Sequence, residues 1–282
     1  MISKRMFFLL ALTISPVLRG DFLPPNHLHL EKSGMLSKVS EADYREVIRE
    51  VYDYFDPIVY RLGGDLRIRP AWSSDLVNAT AHQDGDDWII TIYGGLARRP
   101  ELTLDGLTMV LCHELGHHIA GFPMSSFWAA NEGNSDYFAA QACTKALWKG
   151  RKWDESEGGV IPPEGKRLCD ENFERPIEDL NLCYRQMGAI DSISKLLAYL
   201  DGTEIQWGHN DPRVVERTFH NHPPAQCRLD TFIQGALCKR ENRFTRIPWN
   251  EREMVESSCH QIWQDQVGIR SQCWFRSRLS AE

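Results

Sequence analysis

Apolar residues recur along this chain in two rhythms, and the places where the rhythm changes mark its elements. Over residues 40–62, Val47, Ile48, Val51, Tyr52, Phe55, Ile58, Val59 and Leu62 make one helical stripe. Ser40 with Asp43 reads as a capping pair, and Gly63-Gly64 stops the run. Pro57 is expected to kink or split this helix near its end. The period then shortens to two. Leu66-Arg67-Ile68-Arg69 alternates like a strand, and two further extended runs, 77–82 and 88–93, flank Asp84-Gly85 as a hairpin turn. The helical rhythm returns after Thr103, a cap for a stripe of Leu104, Leu107, Val110, Leu111, Leu115 and Ile119 that Gly121 and Pro123 end. Further helices are expected over about 126–149, 177–201 and 223–238, with a polar loop over 150–175. Short strands followed by long helices predict an α+β fold, a small sheet with an edge strand packed on a mainly helical domain.

Composition adds a location and removes some functions. Lys4 and Arg5 precede the apolar run 6–17, which is too short to span a bilayer. Residues 1–20 therefore read as a cleaved export signal, for the periplasm or the extracellular space. The mature chain has no expected membrane span. The net charge of −7 becomes −10 once Lys4, Arg5 and Arg19 leave, which disfavours nucleic acid and anionic membranes as partners. Eight cysteines fit an oxidising compartment, and none forms a Cys-x-x-Cys pair. Their pairing is left open among 105 possibilities. Cys112, inside the second helical stripe, is a candidate buried free thiol. The chain divides into the leader 1–20, a main domain 21–238 and a Cys- and Trp-containing extension 239–282, stapled to it and bearing Trp249, Trp263 and Trp274.

The chemistry concentrates in Cys112-His113-Glu114-Leu115-Gly116-His117-His118. On a helix, His113 and His117 lie one turn apart on one face, able to grip one zinc ion with Glu114 beside it as general base. His118 points about 100° away and is not expected to be a ligand. A catalytic zinc needs a third protein ligand and an open position. Glu132 and Asp136, four apart in a stretch with Trp128, Tyr137 and Phe138, supply them: Glu132 as metal ligand, Asp136 as acceptor for the free ring N–H of a ligand histidine. Two carboxylates at this spacing more often form a solvated acidic face. Here the aromatic neighbours favour a half-buried helix, where carboxylates need partners.

With these residues in place, the chain resembles the gluzincin zinc metallopeptidases of the HtpX, Oma and CAAX-prenyl-protease type. Four pieces match in order over roughly residues 40–238. They are Asn78-Ala79-Thr80-Ala81 with the hairpin that follows it, His113-Glu114-Leu115-Gly116-His117, Glu132 with Asp136, and His222-Pro223-Pro224 with Arg228. The resemblance implies a zincin-like fold and one zinc per chain, on His113, His117 and Glu132. It implies hydrolysis of peptide bonds in extended or misfolded protein substrates, with Glu114 as base. His222 would stabilise the oxyanion or, as a fourth ligand, keep the enzyme latent; Arg228 would pair with Asp136 or with the loop. The strand through Asn78, Ala79, Thr80 and Ala81 would take the substrate as an added strand. Gly133 and Ser135, the eight cysteines and the tail depart from the family pattern. The competing expectation is a catalytically silent, zinc-stabilised binding or chaperone-like module of the cell envelope. A further competitor, a disulfide scaffold with an accidental motif, predicts Glu132 and Asp136 far from His113.

Overall fold

The computed structural model describes residues 20–30, 39–151, 153, 159–173 and 177–279. Of the expected leader, all but Gly20 lies outside the described residues.

The fold is α+β, a four-stranded mixed sheet against a mostly helical body. Helix α1 (Glu41–Arg61) starts at Ser40, whose hydroxyl accepts from Asp43 N–H while the Asp43 carboxylate accepts from Ser40 N–H. The helix runs through Pro57 without splitting. Pro57 is exposed, so the carbonyl one turn back can turn to water. Next come β2 (Asp65–Ala71), β3 (Ala79–Asp84) and β4 (Asp87–Tyr93), of which β3 and β4 form the expected hairpin and β2 pairs parallel with β4. A two-residue strand, β1 (Gly20–Asp21), closes the other side, giving the order β1-β3-β4-β2. The strand expected at the edge is therefore an inner one.

After the short α2 (Gly94–Ala97), the chain enters α3 (Leu104–Ile119), capped by Thr103. This helix is buried all round, between the sheet and α1 on one side and α7 (Ile177–Asp201) on the other. Asp105, in its first turn, meets Arg185 of α7 in a buried two-pronged ion pair of 2.6 and 2.9 Å.

The helix expected from residue 126 begins only at Glu132. Asn131 caps it by accepting from Asn134 N–H, and residues 122–130 form a loop closed by a Met124–Ala130 bridge. From there α4 (Glu132–Phe138), a π-turn (Ala139–Cys143) and α5 (Thr144–Trp148) form a continuous helical run. Within the expected loop 150–175 stands a further helix, α6 (Pro163–Asn172). Its only buried residues are Gly165 and Cys169, so it shows almost no apolar stripe, but Pro163 at its first position is a start signal. Helix α8 (Ala225–Leu237) begins after Pro223 and Pro224 rather than containing them.

All eight cysteines pair: Cys112–Cys143, Cys169–Cys183, Cys227–Cys273 and Cys238–Cys259. Cys112 is thus not a free thiol; it ties α3 to the π-turn behind α4. The stretch beyond residue 238 is stapled by two of these bonds and is built into the body rather than appended to it. Trp274 is fully buried against Gly133, and Arg270 donates to Asn134 Oδ1 at 2.9 and 3.1 Å. Among the described residues no helix is long and apolar enough to cross a membrane.

Candidate metal centre

Two close contacts bring α3 and α4 together. A side chain on Gly116 would begin 3.0 Å from Ser135 Cα, so the glycine lets α4 lie this near without either helix having to give way. The Cys112–Cys143 bond ties α3 to the π-turn that continues α4. The crossing sets Glu132 and Asp136 over His113 and His117.

Each motif histidine has one ring nitrogen held by the protein. His113 Nδ1–H donates to Asp136 Oδ1 at 2.7 Å, and Asp136 in turn accepts two bonds of 2.7 Å from Arg228. His117 Nδ1–H donates to the Ala130 carbonyl at 2.9 Å, with Ser135 Oγ at 3.2 Å. Fixing Nδ1 as donor leaves the two Nε2 atoms as the ring positions open to a metal.

Those Nε2 atoms converge on Glu132. Its Oε2 lies 3.3 Å from His113 Nε2 and its Oε1 lies 3.6 Å from His117 Nε2. Yet His113 Nε2, His117 Nε2 and Glu132 Oε2 are buried without a hydrogen-bond partner. The spacing explains this. Ligands bonded at about 2.0–2.1 Å to one tetrahedral ion stand about 3.3–3.4 Å apart. Both oxygens of Glu114 are likewise buried and without a partner, at 0% exposure. A buried carboxylate without a partner is costly, and it is relieved either by a cation at its side or by keeping its proton. His113, Glu114 and His117 form a group able to hold a metal ion. The donor set therefore fits one.

Burial and the neighbouring charges set how the metal-free centre titrates. Burial pulls His113 down, but the Asp136 and Glu132 carboxylates outweigh it and raise its pKa to about 9. Burial drives His117 down to about 4, so its ring is neutral. Burial opposes ionisation of Glu132, yet His117, His113 and His222 together pull it to about 2. Burial holds Glu114 well above the usual carboxylate range.

The other expected residues fall as follows. Arg228 does pair with Asp136, and it also donates to the Phe22 carbonyl at 2.6 Å. His222 Nε2 lies 3.4 Å from Glu132 Oε2 and donates to the Asp21 carbonyl at 2.7 Å. Carrying that proton, it is a donor to a carbonyl rather than a fourth ligand. His118 is stacked between Trp88 and Trp128 with its pKa driven by burial to about 3, as a packed residue. Asn78, Ala79, Thr80 and Ala81 sit beside the centre, but the chain's own residues 20–23 already cover them. Sequence reasoning missed this segment, the Ala130 carbonyl and Ser135. The Asn131 cap was the one available signal, since it ends the preceding loop where that carbonyl turns inward.

No family model, curated protein or solved structure matches the chain.

Proposed function

We propose that the chain is a zinc metalloendopeptidase of the gluzincin type, exported to the periplasm or the extracellular space, with a zincin-like arrangement around α3. One observation carries the reading: His113 Nε2, His117 Nε2 and Glu132 Oε2 converge at ligand spacing without a hydrogen bond, beside a Glu114 whose oxygens also have none. A purely structural zinc has no use for that carboxylate. Four disulfides and the absence of a membrane-spanning helix among the described residues are compatible with export.

His113, His117 and Glu132 would hold the ion, and Asp136 with Arg228 would keep His113 in the ligand tautomer. Zinc bound there supplies a Lewis acid and lowers the pKa of a water toward ~7. Glu114 takes the proton of the attacking water and delivers it to the leaving amine. His222, already donating Nε2–H to a backbone carbonyl, does the same for the carbonyl under attack. The substrate is an extended protein or peptide segment, because a folded chain offers no free backbone groups to β3.

The test is zinc content and casein cleavage of the oxidised protein beside Glu114→Gln. One zinc per chain in both, with cleavage about 10²–10⁴-fold lower in Glu114→Gln, is expected. A zinc-free protein, or cleavage that survives the substitution, would refute the proposal. The near-complete burial of the centre favours a second reading, a zinc-stabilised module that binds without cutting; zinc retention with no cleavage under any condition would select it.

A further inference from the structure

A peptidase centre must admit a peptide, and this one is shut. His113, Glu114 and His117 are 0–1% exposed. What shuts it on the β3 side is the segment Gly20-Asp21-Phe22-Leu23. Gly20 lies opposite Ala81 and Asp21 opposite Thr80 in an antiparallel ladder. Phe22 N–H donates to the Ala79 carbonyl at 3.1 Å. Leu23 N–H donates to Asn78 Oδ1 at 3.0 Å, and Asn78 Nδ2 donates back to the Leu23 carbonyl at 3.2 Å. Every residue from Asn78 to Ala81 expected to receive a substrate strand is thus engaged by the chain itself.

The same four residues reach the reacting groups. The Asp21 carbonyl accepts from His222 Nε2, the bond assigned to a carbonyl under attack. Phe22 stands edge-on to His113 with ring centroids 5.2 Å apart, and its carbonyl accepts from Arg228. Gly20 lies so close over His117 that a Cβ there would sit 2.7 Å from Nε2, the metal-facing nitrogen. Strand addition is a backbone interaction, so this segment and an extended substrate compete for the same donors and acceptors. The two halves of the segment differ in how firmly they are held. Phe22 and Leu23 are fully buried in the core and anchor it, whereas Gly20 and Asp21 form a two-residue strand, the kind of element that opens locally at low cost.

We propose that Asp21–Leu23, the residues that follow the expected leader, are a built-in occupant of the substrate groove, so that the centre cuts only in the fraction of molecules in which Asp21 has withdrawn from β3. The inference rests on the peptidase reading above. Gly20→Val in the chain with its leader retained tests it, because the side chain cannot fit over His117 and lifts the strand that continues into Asp21. Zinc-loaded protein is challenged with a chromogenic chelator and titrated with a peptide hydroxamate. The chelator should strip zinc at least tenfold faster from Gly20→Val than from the unaltered chain, and the hydroxamate should bind at least tenfold tighter. Equal rates and equal affinities in two zinc-bound, folded proteins would overturn latency and leave the peptidase reading standing. Absence of zinc from both would sink the peptidase reading itself, and the inference with it. A measurement on the unaltered chain covers a variant that fails to fold. Saturating hydroxamate should speed hydrogen exchange of the Phe22 amide, and an amide that stays protected with the inhibitor bound would overturn the inference.

Discussion

Asp136 is the residue on which the centre's geometry turns, since it fixes the ring of His113 and neutralises the buried Arg228 guanidinium together. Asp136→Asn keeps the size but loses the charge. It should weaken zinc binding about 10–100-fold, the usual effect of removing a carboxylate behind a ligand histidine. It should also cost roughly 3–5 kcal/mol of stability by leaving a buried cation without its anion. Chelator competition and urea melts read the two effects separately. The same carboxylate gives zinc binding a pH dependence. With its pKa raised to about 9, metal-free His113 holds a proton on Nε2 at neutral pH. Zinc needs that lone pair and must displace the proton, so affinity should rise with pH through about 9 and flatten above it. Calorimetry in buffers of different ionisation enthalpy should find at least one proton released per zinc at pH 7, and fewer at pH 10. His113, Glu114 and His117 were legible in the sequence because a helix makes their spacing a geometric statement. The Ala130 carbonyl behind His117 was not, because any residue has a carbonyl and only the loop's path aims this one.

Elements were legible where a periodic stripe and a cap agreed, as in α1 with Ser40 and α3 with Thr103. They were misjudged where the two signals conflicted. The run Trp128-Ala129-Ala130 has helix-forming composition, but the Asn131 cap sets the start of α4 at Glu132. In α6 a disulfide to Cys183 replaces an apolar stripe, so periodicity had little to detect. The α3–α4 crossing carries a prediction of its own. Gly116→Val would press on the Ser135 backbone, which cannot give as a side-chain end can, and α4 should move outward. Zinc affinity should then fall at least tenfold while α3 itself, clamped by α7 and the Asp105–Arg185 pair, keeps its far-UV helical signal. A Gly116→Val protein that binds zinc normally would show that the crossing does not position Glu132.

At the scale of the whole molecule, the stretch after residue 238 acts as a wall behind the glutamate helix. Gly133 has its reason here. A Cβ at that position would meet the Trp274 ring at 2.3 Å, so the chain has a glycine beside Glu132 where the tail inserts an indole. Tyr137 O–H donates to the Gly268 carbonyl at 2.6 Å, and Arg270 lies over the Tyr137 ring at 4.1 Å, so the contact continues along α4. This was not readable in advance, since a tryptophan-rich tail has no periodicity and its partner lies some 140 residues earlier. A double-mutant cycle can test whether the wall positions the ligand. Trp274→Ala alone should cost about 3–5 kcal/mol, as the loss of a large buried ring does. Gly133→Ala alone should displace either the tail or α4 and weaken zinc binding. In the double variant the added methyl occupies space the indole has left, so zinc affinity should recover part of what Gly133→Ala lost. The coupling should be on the order of 1 kcal/mol or more. Simple additivity of the two losses would mean that the tail stabilises the body without setting where Glu132 stands.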